Sequence, residues 1–184
     1  MRNLQKTLLL VCLMLAMPAC SITLNLTKTP TPQAGIANLT AEPTLEPTAA
    51  QIISVYFTDL AKFNVGTEPY EVAVSRPLPT GVDPVQAVLD ALFAGPTAEE
   101  TAQGLMLFSS GFTGVRDLTI ENGIARIYLE GKCANNGAAY SVASVIHKNL
   151  EQFTEITAIK IYDENGENLD PDSAQSSLPY CLEP

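Results

Sequence analysis

The chain has 184 residues, with 20 Asp plus Glu against 10 Lys plus Arg and a formal net charge of -10. Hydrophobic residues make up 46% and charged ones 16%, which excludes a disordered polyelectrolyte and leaves room for one ordinary domain plus a tail. The acidity argues against nucleic acid as a partner, because there is no basic stripe to neutralise phosphates, and it keeps the folded part off anionic headgroups. Its simplest use is solubility.

Arg2 and Lys6 open a short positive region, followed by the apolar run Thr7–Met17 and then Pro18-Ala19-Cys20. An apolar run of about 11 residues has the length of a signal-peptide core and is too short to span a bilayer. A small residue directly before a cysteine resembles the lipobox of bacterial lipoproteins, with Met17 where that pattern usually carries Leu. The resemblance implies removal of residues 1–19, diacylation of the Cys20 sulfur and an extracytoplasmic chain anchored to the cell membrane by its lipid. Ordinary cleavage at a nearby small residue, giving a secreted protein, is the competing reading. Cys12 leaves with the signal, and loss of Arg2 and Lys6 takes the mature chain to about -12.

Residues 20–50 follow as a tether. Pro30, Pro32, Pro43 and Pro47 each stand beside a threonine, and few large apolar residues accompany them. Proline removes a backbone donor and fixes φ, so the expectation is an extended, disordered spacer. About 30 residues at roughly 3.1 Å each could reach about 90 Å.

Residues 51–184 read as the folded domain. Ile52 to Phe57 is a β-branched and aromatic run, hence a strand, and 59–69 reads as a loop. Tyr70–Arg76 alternates as a second strand. Asp83 and Pro84 open a helix whose apolar face is Val85, Val88, Leu89, Leu92 and Phe93, stopped by Gly95-Pro96. Thr97 and Glu100 form a capping-box pair for a short helix ending near Gly104. Val115–Glu121 and Ile124–Glu130 are strands joined by Asn122-Gly123, the pair that a type I′ hairpin turn demands. A helix over 138–153 and a strand over 156–162 complete the order β-β-α-(α)-β-β-α-β. The expected fold is α+β, a two-layer sandwich with two main helices on one face of a mixed or antiparallel sheet.

Cys133 and Cys181 remain in the mature chain besides Cys20. In an exported domain they read as a disulfide that pins the tail 167–184, closing a loop worth roughly 4 kcal/mol in chain entropy. A zinc site is the rival reading, and it lacks partners, since His147 is the only histidine. His147 reads as a partly exposed helix residue. Ser109 and Ser110 precede Gly111, but Phe108–Phe112 does not match a nucleophile elbow. Asp163, Glu164, Asn165, Asp170 and Asp172 cluster without the spacing of a calcium loop and read as a solvated turn. Gly104, Gly111 and Gly114 are too dispersed to cradle a phosphate, and no cofactor is expected.

The order of these stretches resembles the GerMN domain, the sporulation and spore germination domain, from about Ser54 to Glu167. Val55-Tyr56-Phe57 is similar to its opening strand. Ala87–Phe93 followed by Gly95-Pro96-Thr97, Glu99-Glu100 and Gly104-Leu105 is similar to its helix and glycine-proline-threonine signature. Leu118–Leu129 resembles its hairpin, and Ile146 through Leu150, Phe153, Ile156 and Ile159 to Asn165-Gly166 its end. The resemblance implies an extracytoplasmic module, often carried on lipoproteins and near sporulation or peptidoglycan proteins, with no known catalytic residues. It also implies a likeness to ring-building domains that self-associate through strand and helix faces. Gly95, Pro96, Thr97 and Gly104 are then a candidate interaction surface, although helix punctuation already accounts for them. The expected function is a lipid-anchored, non-enzymatic binding or assembly module of the cell envelope, its partner an envelope protein, peptidoglycan or a second copy. The alternatives are a small-ligand or calcium receptor and a cell-wall enzyme.

Overall fold

The computed structural model describes residues 51–184; the expected signal over 1–19, Cys20 and the tether over 20–50 lie outside the described residues. Strand β1 (Ile52–Asp59) pairs antiparallel with β2 (Glu71–Pro77) and, at Thr58 and Asp59, with the short β3 (Leu105–Met106). β4 (Phe112–Glu121) and β5 (Ile124–Gly131) form the expected hairpin, with Asn122 and Gly123 at φ 51° and 78°. β6 (Ala158–Tyr162) adds parallel to β5. The strands thus divide into two three-stranded sheets, β2-β1-β3 and β4-β5-β6. The fold is α+β with antiparallel and mixed pairing.

Among the described residues four α-helices accompany the sheets: α1 (Leu60–Val65), α2 (Pro84–Ala94), α3 (Ala98–Ala102) and α4 (Val142–Leu150). The start of α2 follows from its first residues. Asp83 Oδ1 accepts from the Val85 and Gln86 amides at 2.9 and 3.2 Å, and Pro84 fills the first turn, where no amide proton is needed. Its buried face is Val85, Val88, Leu89 and Leu92, which packs on Val55 and Phe57 of β1, Ile127 and Leu129 of β5, and Val145 and Ile146 of α4 in one apolar cluster. Ala125, Ile127 and Leu129 point inward and Ile124, Arg126 and Tyr128 outward, as the alternation predicts.

Three departures have local causes. α1 occupies part of the expected loop: Asp59 caps it by accepting from the Ala61 and Lys62 amides, and Gly66 ends it in the left-handed region at φ 70°. α4 is shorter than 138–153: Ser141 is extended at φ -140° and caps the helix by accepting from the Ala143 amide, so the helix begins only at Val142. β6 starts at Ala158, two residues later than expected, and is buried along its whole length. Its free edge is met by the C-terminal segment in a parallel bridge at Lys160 and Ser177, where the Ser177 amide donates to Ile159 O and the Ile161 amide to Ser177 O. Beneath that segment lies Lys160, with no solvent exposure, its ammonium donating to Asp170 O and to the Ser173 and Ser177 hydroxyls at 3.3 and 3.2 Å. The same segment ends at Cys181, which the structure joins to Cys133 across a Cα–Cα distance of 6.4 Å.

β1 carries an unpaired edge along Ser54–Tyr56, because β3 reaches only Thr58 and Asp59. Asn149 of α4 closes it. The Asn149 Oδ1 accepts from the Tyr56 amide at 2.9 Å, while Nδ2 donates to Tyr56 O and to Val145 O, both at 2.9 Å. Gln152 Nε2 donates to Ser54 O beside it. Replacement of Asn149, which has no exposure, by Ala leaves buried backbone groups without partners. Asn149→Ala is expected to lower the unfolding free energy by about 2–4 kcal/mol in urea titration, against less than about 1 kcal/mol for Gln152→Ala at the exposed end.

Candidate functional site

Four aromatic side chains meet at one end of the domain, each delivered by a different connection. Phe63 comes from α1, Tyr70 from the residue before β2, Phe108 from the segment after β3, and Tyr140 from the residue before the α4 cap. Phe63 and Tyr140 each touch the other three, with ring centroids 4.9–5.6 Å apart. Several of the pairs are edge to face, the arrangement that the ring quadrupoles favour. At these separations nothing fits between the rings, so they form a continuous wall. None of them is fully buried, and the wall lines a cleft of about 820 Å³.

The backbone around this wall is tied down by hydrogen bonds between the connections. The Asp59 amide donates to Tyr70 O at 2.8 Å and the Leu60 amide to Gly104 O at 3.0 Å, which fixes α1 and hence Phe63. Ser110, at φ 48°, donates from its hydroxyl to Asn135 Oδ1 and accepts from the Val142 amide, both at 3.1 Å. Asn135 in turn donates to Ala138 O at 2.8 Å. Gly111 is at φ 87°, and a Cβ there would run into the Lys132 carbonyl, so only glycine lets the two backbones approach. Ser109 to Gly111 is therefore a turn that anchors loop 134–138, and its hydroxyls serve the backbone.

Carboxylates stand along the rim. Tyr140 Oη donates to Glu71 at 2.6 Å and, its own proton so committed, accepts from Thr58 Oγ1 at 2.7 Å. Burial first, and the hydrogen bond to Glu71 second, hold the Tyr140 phenol well above its ordinary pKa. Tyr70 is also raised, by burial and then by the charge of Glu68. A second hollow continues past Glu68, Tyr70 and Tyr140 to Glu71, Lys148 and Glu151. There Lys148 donates to Glu151 at 2.8 Å, and its ammonium lies 5.5 Å from the Tyr56 ring centroid.

Residues 54–170 match the family model described as sporulation and spore germination, named Germane. The chain belongs to this family, as the run of motifs from Val55 to Gly166 implied. Among solved structures, the tandem GerMN domains of the sporulation protein GerM from Bacillus subtilis are similar at 20% identity and a TM-score of 0.46, over 80% of this chain and 48% of that one. The first GerMN domain of the same protein is similar at 19% identity and a TM-score of 0.47, over 69% of this chain and 92% of that one. The chain spans about half the length of the tandem structure. No curated protein matches it.

In this GerMN domain the signature residues lie away from the cleft. Gly95 ends α2 at φ 80°, and Thr97 caps α3 with Glu100 in a complete capping box. Glu100 reaches further, to a two-point ion pair with Arg76 of β2 at 2.7 and 2.6 Å. Gly95-Pro96-Thr97 thus aims a short helix whose carboxylate grips the β2 edge. Gly104 sits at φ 91° and supplies the carbonyl that holds α1. Cys133 and Cys181 lie in the tail-pinning bond, and Cys20 is outside the described residues. His147 is half-buried, and burial lowers its pKa against the opposing charge of Glu151. Asp163 is buried and spends Oδ1 on the Asn165 and Glu167 amides at 2.8 and 2.9 Å, a turn and not an open ligand. No group of three or more His, Cys, Asp or Glu among the described residues is placed to hold a metal ion.

The aromatic wall itself has no periodic signature, since Phe63, Tyr70, Phe108 and Tyr140 all lie outside the apolar stripes of the main helices and strands. The one legible signal was Asp59 and Gly66 as a cap pair around Phe63. The ion pair makes a measurable difference to acid stability. The Arg76 guanidinium, donating to the Glu100 carboxyl, lowers it from 4.5 to about 2. A lowered carboxyl pKa stabilises fully above the unfolded value and is lost as pH falls towards the folded one, so the window runs from 4.5 down to about 2. Glu100→Gln is expected to melt lower than the parent at neutral pH. The gap should narrow as the pH falls from about 5 to about 2.5 in thermal melts.

Proposed function

We propose that this protein is an extracytoplasmic lipoprotein whose single GerMN domain is a non-enzymatic binding or assembly module of the cell envelope, connected with sporulation or germination as its family is. Cys20 carries the lipid, and the proline-threonine tether holds the domain clear of the membrane. The Cys133–Cys181 bond suits an oxidising compartment. The observation that carries the binding role is the aromatic cleft: large apolar rings held at the surface by hydrogen-bonded turns, where burial would otherwise be favoured. The Ser110 and Tyr140 hydroxyls and the Glu71 carboxylate are occupied in fixing the walls, which supports recognition over catalysis. The partner presented to it is an envelope protein, peptidoglycan or a second copy of the chain.

The anchor is tested by intact mass of the protein extracted from its native membrane, with and without reductant. The expected species begins at Cys20, carries diacylglycerol and takes up hydrogen at two sulfurs on reduction. Cys20→Ala is expected to move the protein out of the membrane fraction. An unlipidated chain cut at another residue would make it a secreted protein and remove the tether argument with it.

A further inference from the structure

The cleft has a consistent electrostatic character. The first compartment is lined by the rings of Phe63, Tyr70, Phe108 and Tyr140, and Glu68 is the carboxylate that borders both compartments. Among the described residues, no Lys or Arg lines the first compartment. Among the described residues, neither Glu68 nor Glu71 has a basic group within ion-pair distance, since the pairs formed are Arg76–Glu100 and Lys148–Glu151. Glu71 is held in place by the Tyr140 hydroxyl at 2.6 Å. Lys148, at the neighbouring compartment, shows what an aromatic face beside a carboxylate accommodates: its ammonium lies 5.5 Å from the Tyr56 centroid and 2.8 Å from Glu151. The same combination, aromatic face plus carboxylate, stands open in the first compartment.

We propose that the aromatic cleft bordered by Glu68 binds an organic cation, an ammonium or guanidinium group borne by a small molecule or by a basic side chain of a polypeptide. The wall supplies cation–π attraction across its faces, because rings packed about 5 Å apart leave no cage between them. The aliphatic stem of the ligand covers ring surface that water now covers, and the head reaches Glu68. The volume of about 820 Å³ accepts a whole side chain with its flanking backbone. An anionic ligand is repelled by the same rim. A neutral sugar could stack on the wall but gains nothing from its charge.

This inference rests on the domain's being a binding module. The test is calorimetric titration of the full-length protein with agmatine, with a capped glycine-arginine-glycine peptide, and with N-acetylglucosamine as the neutral control. Binding of agmatine and peptide alike is expected for a small cation; binding of the peptide alone assigns the site to a polypeptide side chain. In either case the affinity should weaken with added salt and fall about tenfold in Glu68→Gln and in Phe108→Ala. Glu68 is exposed, so its variant reports on binding even if Phe108→Ala unfolds. No heat with either cation, or equal affinity in Glu68→Gln, overturns the proposal, as does binding of the sugar alone. Recovery of the probes after titration separates the two readings. Unchanged probes with no heat sink only the ligand class, whereas a chemically altered probe would sink the binding-module reading as well.

Discussion

The fold depends on one side-chain amide standing in for a strand. β1 is the middle strand of its sheet only at its far end; along Ser54–Tyr56 one edge faces α4. A buried strand edge without partners leaves amide and carbonyl groups stripped of water, each at a cost comparable to a lost hydrogen bond. Asn149 satisfies both groups of Tyr56 with an amide of the same geometry as a peptide unit, and Gln152 takes the next carbonyl. The apolar stripe of α4 could slide along β1, since hydrophobic contact is not directional. The amide pairing removes that freedom. It fixes α4 in height and rotation, and so fixes Ser141 and Tyr140 at its beginning.

A second constraint acts on the other sheet. β6 is buried along its whole length, and its free edge meets the C-terminal segment, not a helix. Lys160 makes this workable. A fully buried ammonium is tolerable only when its protons have acceptors, and Asp170 O with the Ser173 and Ser177 hydroxyls supplies them. Asn168 extends the set by accepting from Ser177 at 2.7 Å and donating to Ile161 O at 2.7 Å. Tyr128 and Tyr162 stack at 4.4 Å beside it. The disulfide then needs to hold only the last residues, because polar contacts have already laid the segment down.

The elements most legible in the sequence are those whose chemistry is local. Asp83-Pro84 at the start of α2, the Thr97–Glu100 box and the Asn122-Gly123 turn each state a backbone conformation within a few residues, and each stands where they place it. The division of six strands into two sheets could not be read that way, because alternation reports which face is buried and not which strand lies alongside. Helix α1 was hidden because it has no buried face and only Phe63 turns towards the cleft, so no apolar periodicity announces it. The burial of Lys160 was hidden for the opposite reason: a lysine on an alternating strand reads as solvent-facing until a distant segment covers it. The cleft belongs to this second kind, being assembled from four connections that are separated by up to 77 residues, from Phe63 to Tyr140.

The separation between the family signature and the cleft follows from what each has to do. Gly95, Thr97, Glu100 and Gly104 set backbone geometry, and a backbone requirement leaves a local trace in sequence. They reach the cleft only indirectly: Glu100 holds β2 through Arg76, and Gly104 holds Leu60, which starts the helix bearing Phe63. Phe63 in turn contacts all three other rings, so the wall is positioned from the signature outward by a short chain of hydrogen bonds and ring contacts. The rings need only be large, apolar and correctly delivered. The scaffold therefore fixes where a ligand can sit, while Glu68 at the rim, which has no ion-pair partner among the described residues, is free to set its charge.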